Sequence, residues 1–170
     1  MKPFPLLCPA LLAAVAAIVP LSVLAYELPD PKITPGAINE MVTQANIRGT
    51  ICTKGWTRTI RPPVSYTNRL KRQLMRKYGV GSRDVRDFEL DHLIPLELGG
   101  APDDPANVWP QPRTGTWTAE LKDDLERTLN RRACEGRVSL AQAQQAIRTD
   151  WIAAYRKYET ARAKGNRAQR

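Results

Sequence analysis

The sequence predicts an α+β fold in which two short strands and a following helix are packed with several flanking α-helices. Residues 88–92 alternate apolar and polar side chains, as expected of a strand with two chemically different faces. Residues 107–109 form a second short strand, closed by Pro110 and Pro112. Beyond residue 116, leucines recur every fourth residue, which indicates an amphipathic helix; they are Leu121, Leu125 and Leu129.

Turn and capping residues assign the flanking segments. Residues 28–35 contain three prolines and are interpreted as an extended arm, followed by a short helix over residues 35–42. Residues 50–61 are rich in β-branched side chains, which predicts a strand interrupted by a glycine. A basic helix capped by Ser65 or Thr67 should then run to about Tyr78. The last helix should open at a capping box formed by residues 139–142.

The first 25 residues have the pattern of a secretory signal peptide. A lysine at position 2 precedes an apolar stretch over residues 6–24, and small or apolar residues precede a cleavage site after Ala25. A membrane anchor is the alternative, because the stretch approaches the roughly 20 residues that span a bilayer; Pro20 favours cleavage. We therefore expect residues 26–170 to form a single exported domain, periplasmic or secreted, without stable membrane association.

Cleavage would remove Cys8 and leave Cys52 and Cys134 in an oxidising compartment. An even pair of cysteines in an exported chain predicts a disulfide between them. The alternative is a pair of unpaired buried thiols. Neither cysteine belongs to a C-x-x-C pair, which argues against a zinc ribbon or a thioredoxin-type site.

The chain is strongly basic, with 26 lysines and arginines against 17 acidic residues and a net charge of +9. Such an excess favours polyanionic partners, either nucleic acid or an anionic envelope surface. Basic residues cluster over residues 69–77 and again in the tail from residue 162. The alternative interpretation is that each cluster is an ordinary solvated helix face.

The most informative residue is His92, the only histidine, which follows Asp91 at the end of the first predicted strand. Hydrolysis of a phosphodiester requires a base that activates water and a cation that neutralises charge on the phosphate and the leaving oxygen. A neutral imidazole suits the first task and an oxygen-ligated divalent ion the second. Asp91 is the first expected metal ligand. The helix should supply the next carboxylate, with Asp123 the first choice and then Glu120 or Glu126.

These residues carry a resemblance to a known family. The string from Asp91 through Pro95 to Gly99 and Gly100, followed by Asn107-Val108-Trp109-Pro110 and a helix, resembles the HNH endonuclease superfamily with its ββα-metal fold. It is similar in particular to a group of small exported bacterial HNH-like proteins. The motif core covers about residues 87–130 of a single HNH-like domain.

The resemblance implies a role for each matching residue. His92 corresponds to the general base, Asp91 to the metal ligand before it, and Asn107 to the asparagine that pins the loop and so orients the base. The third motif position is usually a His or Asn on the helix, and the chain has neither between Thr114 and Leu129, so Asp123 is our candidate there. The implied cofactor is a divalent metal ion, Mg²⁺ first, with Mn²⁺ or Zn²⁺ as alternatives.

Two functions follow as hypotheses. The first is an exported metal-dependent endonuclease that cuts DNA or RNA with weak sequence preference, in which Lys122 and Arg113 contact phosphate. The second is a basic protein of the same fold that lacks catalysis and binds nucleic acid or an anionic envelope polymer. In either case a monomer is expected, because a domain of this size needs no partner to fold.

Overall fold

The computed structural model describes residues 27–168, and side chains through residue 159. Within that range the protein is an α+β chain of four α-helices and one two-stranded antiparallel sheet, which confirms the predicted class. In chain order the elements are α1 (Trp56–Ile60), α2 (Val64–Lys77), β1 (Phe88–His92), β2 (Val108–Pro112), α3 (Ala119–Cys134) and α4 (Leu140–Ala168).

The predicted signal peptide, residues 1–25, lies outside the described residues. Among residues 27–168, no helix combines the length and the apolar character needed to cross a bilayer.

The predicted order of strand, loop, strand and helix is present as β1, β2 and α3. The two strands pair antiparallel, with Asp91 opposite Trp109 and His92 opposite Val108. One detail of the prediction is wrong, since Pro110 and Pro112 lie inside β2 rather than ending it. A two-stranded sheet tolerates both prolines because each strand has an outer edge where no ladder N–H is required.

The main apolar core lies between α3, α4 and the loop after β1. Leu125 and Leu129 of α3 are fully buried against Ile147 and Trp151 of α4. The predicted capping box is confirmed at the start of α4, since the backbone N–H of Gln142 donates to Ser139 Oγ and the N–H of Ser139 donates to Gln142 Oε1. The helix is interrupted at residue 150, where the backbone is not helical.

The structure corrects the predictions for two segments. Residues 35–42 form no helix, because their backbone groups pair with the loop after β1: Ile38 makes an isolated antiparallel bridge with Gly100. Residues 50–61 form no strand, and contain instead a turn at Gly55, where φ is +84°, followed by the short α1. Tertiary contacts determine the conformation of this segment, because Ile51 packs in a small apolar cluster with Leu140.

Helix α2 has nearly the predicted extent. It begins at Val64, directly after Pro63, so neither Ser65 nor Thr67 is its N-cap. Its C-terminal end at Lys77 agrees with the predicted stop near Tyr78.

The predicted disulfide between Cys52 and Cys134 is present, and it joins the segment before α1 to the end of α3. A second contact supports the same junction, because Asn130 Nδ2 donates to the carbonyl oxygens of Ile51 at 3.1 Å and of Glu97 at 2.7 Å. The two contacts hold the α1 segment and the loop after β1 on α3.

We expect that removal of the disulfide lowers the free energy of unfolding by about 4 kcal/mol, because the crosslink closes a long loop in the unfolded chain. The measurement is denaturant unfolding of the wild type with and without a reductant. The Cys52→Ser/Cys134→Ser variant is the control, and its stability should not respond to the reductant. A wild-type midpoint that does not change on reduction would contradict this expectation.

Candidate functional site

A polar cleft of about 510 Å³ lies beside β1, bounded by α2 on one side and α3 on the other. Strand β1 lines it from Glu89 to His92, and Asp123 and Glu126 of α3 line it as well. The structure therefore brings the predicted residues Asp91, His92 and Asp123 into one cleft.

Asn107 fixes the loop that joins β1 to β2. Its buried amide Nδ2 donates to the carbonyl oxygens of Ile94 and Ala101, each at 3.0 Å. Its Oδ1 accepts from the backbone N–H groups of Ile94 at 3.0 Å and Ala37 at 3.3 Å. One side chain thus bonds to four backbone groups, three on the loop after β1 and one at Ala37, and holds the loop against that segment.

The imidazole of His92 lies at the end of β1 and is largely buried. Its Nε2 is 3.0 Å from the carbonyl oxygen of Pro102, an acceptor. The contact requires a proton on Nε2, so the neutral ring carries its lone pair on Nδ1. Burial lowers the pKa of His92 below its ordinary value, and it outweighs the opposing effects of the Pro102 carbonyl and Asp91. Both observations favour a neutral imidazole that can accept a proton at Nδ1.

Three carboxylates converge in the cleft that His92 also lines. Oxygens of Glu89, Asp91 and Asp123 all lie within 4.8 Å of one another. Burial, and next the negative charge of Asp91, raise the pKa of both Glu89 and Asp123. A cation at this point would relieve the repulsion by Asp91, which adds to the effect of burial on these pKa values.

The donor set fits a hard divalent ion. Half-buried carboxylate oxygens are the ligands that Mg²⁺ and Mn²⁺ prefer, whereas zinc sites are built chiefly from nitrogen and sulfur ligands. Glu89, Asp91 and Asp123 would hold such an ion, which favours Mg²⁺ or Mn²⁺ over Zn²⁺. Glu120 is exposed and does not line the cleft, so it is not a candidate ligand.

Glu89 was not among the residues predicted from the sequence. The sequence pattern could have predicted its place in the site, because Glu89 and Asp91 are two residues apart on one strand and their side chains therefore point to the same face. The alternation that predicted β1 implied that any residue sharing the face of Asp91 would join its site.

The position of Lys122 contradicts one prediction. We expected its side chain to contact phosphate, but it is fully buried. Its Nζ donates to Asp91 Oδ2 at 2.6 Å, to the carbonyl oxygen of His92 at 2.7 Å, and to Glu126 Oε1. Burial alone would lower the pKa of Lys122, yet the charges of Asp91 and Glu126 raise it above its ordinary value. A buried ammonium with these partners cannot reach a phosphate.

Arg113, the other predicted phosphate contact, lies at the cleft with its side chain about half exposed. Its guanidinium pairs with Glu89 Oε2 at 2.8 Å and its Nε donates to the carbonyl oxygen of Phe88 at 3.3 Å. Lys71 of α2 donates to the same carbonyl at 2.7 Å, and Arg61 also lines the cleft. Three basic side chains therefore lie around the acidic cluster.

Gly100, within the loop that joins β1 to β2, is needed for steric reasons. A Cβ on Gly100 would lie 1.8 Å from the carbonyl oxygen of Ile94 and 2.8 Å from Asn107 Nδ2. Both atoms belong to the Asn107 hydrogen-bond network, so the chain could relieve the clash only by breaking it.

We expect Gly100→Ala to lower the free energy of unfolding by about 3 kcal/mol or more, because the added methyl overlaps a backbone atom. The measurement is denaturant unfolding. Gly49→Ala is the matched control, since a Cβ there meets nothing within 4 Å and it should change stability little. Equal stability of the two variants would contradict the proposed steric constraint.

We expect the pKa of His92 to lie below the ordinary histidine value of about 6.5. Because His92 is the only histidine, the NMR titration of its ring protons gives one unambiguous curve. The unfolded chain binds this proton more readily than the folded one, so the free energy of unfolding should fall as the pH drops below about 6.5. The His92→Gln variant should show a smaller fall. A pKa at or above 6.5 would contradict the burial argument.

Comparisons of the chain with protein-family models, with curated proteins and with solved structures found no match.

Proposed function

We propose that this protein is a metal-dependent phosphodiester hydrolase, an endonuclease with an HNH-like ββα-metal site in which His92 is the general base. One observation carries the proposal: the imidazole of His92, with its Nε2 3.0 Å from the Pro102 carbonyl oxygen, lies in the same cleft as the three carboxylates of Glu89, Asp91 and Asp123. A base and a cation-binding cluster are the two components that this hydrolysis requires.

The roles of the residues follow from their contacts. His92 accepts the proton of the attacking water at Nδ1, and the Pro102 carbonyl keeps the ring in the required tautomer. Asn107 holds the loop from which that carbonyl projects. A divalent ion held by the carboxylate cluster would neutralise charge on the phosphate and on the leaving oxygen. Because Nε2 is bound to Pro102, only one ring nitrogen is available for the reaction.

The substrate class that we propose is nucleic acid. The net charge of +9 favours a polyanion, and Arg61, Lys71 and Arg113 lie at the cleft where a phosphate backbone would pass. Contacts of basic side chains with phosphates carry no sequence information. We therefore propose cleavage of DNA or RNA with weak sequence preference.

Export of the protein belongs to the same proposal. The signal-peptide pattern of residues 1–25 suggests transport out of the cytosol, and the Cys52–Cys134 disulfide is compatible with an oxidising compartment. We propose that the mature chain begins near Tyr26 and acts as a monomer in the periplasm or outside the cell.

A second candidate is a binding protein without catalysis. The contact of Lys122 with Asp91 favours it, because an internal cation already neutralises part of the carboxylate cluster. Such a protein would hold nucleic acid or an anionic envelope polymer through its basic side chains alone, and its binding would weaken steeply with salt.

We expect the mature chain to degrade plasmid DNA or RNA in the presence of Mg²⁺ or Mn²⁺ and to stop when the ion is chelated. His92→Ala should lower the rate by at least about 100-fold, because it removes the general base. Asp123→Asn should also lower the rate, whereas Asp124→Asn should not, since Asp124 pairs with Arg127 outside the cleft. The measurement is the initial rate of cleavage, with circular dichroism as the test of folding.

If the wild type and His92→Ala are equally inert under every metal, yet both bind nucleic acid, the enzyme proposal fails and the binding protein remains. Equal rate losses in Asp123→Asn and Asp124→Asn would remove Asp123 from the site.

A further inference from the structure

Lys122 is the only charged residue that is fully buried among the described side chains. Its ammonium group has three N–H donors and three acceptors: Asp91 Oδ2, the His92 carbonyl oxygen and Glu126 Oε1. The group is therefore saturated and, as a cation, has no lone pair with which to act as a base. Its function must be exerted through the groups that it contacts.

Two of those groups belong to the candidate site. One is the carboxylate of Asp91, an expected metal ligand, and the other is the backbone of His92, the expected base. Lys122 comes from α3, directly before Asp123, so a single turn of helix supplies a cation to Asp91 and a carboxylate to the cleft. The lysine thus connects β1 to α3 at the point where the site is assembled.

We propose that Lys122 is a positioning residue that orients Asp91 and, as an internal positive charge, weakens the affinity of the carboxylate cluster for a divalent cation. The inference rests on the proposed function for the identity of the cluster. Its physical basis is the 2.6 Å contact with Asp91, one of the three carboxylates, because a charge so close repels any cation bound there.

The arrangement has a consequence for the unloaded protein. The hydrogen bond from the ammonium of Lys122 holds the carboxylate of Asp91 in place when no metal is bound, so this ligand is already oriented when the ion arrives. In exchange the cluster binds the ion less tightly. A reversible cation site with preformed ligands is the expected result.

The test compares two variants that differ by one positive charge. Glu126→Gln keeps the lysine, and Lys122→Met/Glu126→Gln removes it. Both variants have a neutral side chain at position 126, so the loss of the lysine leaves no unpaired carboxylate there. We expect the dissociation constant for Mn²⁺, measured by titration calorimetry, to be at least tenfold lower in the double variant than in Glu126→Gln. The readout needs no substrate and no activity.

Tighter binding in the double variant supports the inference whether or not the wild type cuts nucleic acid. If only the variant without the lysine binds Mn²⁺, the inference holds and the metal-dependent function fails. If Glu126→Gln binds Mn²⁺ and the folded double variant binds it equally or more weakly, the inference fails and the function can still stand. If neither variant binds Mn²⁺, both fail.

Two further measurements test the inference if the double variant does not fold. Lys122→Gln/Glu126→Gln replaces the lysine by a neutral hydrogen-bonding side chain, and the same tenfold change is expected. In the wild type, titration with Mg²⁺ should shift the NMR resonance of the Lys122 ammonium nitrogen, because the ion would lie near Asp91. A resonance that does not move while Mg²⁺ binds would overturn the inference.

Discussion

The buried amide of Asn107 is the contact on which the geometry of the site depends. It bonds to backbone groups of Ile94, Ala101 and Ala37, and these lie on the loop after β1 and on the segment that braces it. A buried backbone group left without a partner costs about 1–3 kcal/mol, so four such bonds give one loop conformation a large advantage. That conformation places the Pro102 carbonyl against His92. The tautomer of the histidine therefore depends on an asparagine whose side-chain hydrogen bonds go to Ile94, Ala101 and Ala37.

The second constraint is electrostatic. Burying an ammonium costs several kcal/mol, and this cost is recovered only where counter-charges and hydrogen bonds surround the ion. Asp91 and Glu126 provide both for Lys122. Glu126 is itself largely buried, which raises its pKa, and the charge of Lys122 opposes that rise. The group thereby fixes the distance between β1 and α3 at the cleft.

Local patterns in the sequence predicted the parts that depend on local physics. The alternation of residues 88–92, the leucines of α3, the capping box at Ser139 and the pairing of Cys52 with Cys134 are all present. The predictions for residues 35–42 and 50–61 were wrong because contacts with residues distant in sequence determine the conformation of these segments. A strand-like composition carries no information about a glycine turn or about an apolar cluster completed by Leu140.

The same limit applies to the site. Asp91, His92, Asn107 and Asp123 could be proposed because motif order and strand periodicity bring them together. The burial of Lys122 could not, since its position on α3 next to acidic residues is typical of a solvated helix face. Only the packing of α3 on β1 turns that lysine inward, where Asp91 and the His92 carbonyl replace water as its partners.

The distribution of charge in the cleft separates the two proposed functions. Two like charges 4 Å apart repel by about 4 kcal/mol at an effective dielectric constant near 20, so a phosphate cannot approach the ionised carboxylate cluster unless a cation lies between them. Lys122 is on the buried side of Asp91 and cannot take that place. A phosphate close to His92 therefore requires an added ion, whereas a phosphate bound at Arg61 and Lys71 does not. The two proposed functions would thus place a nucleic-acid backbone at different positions in one cleft.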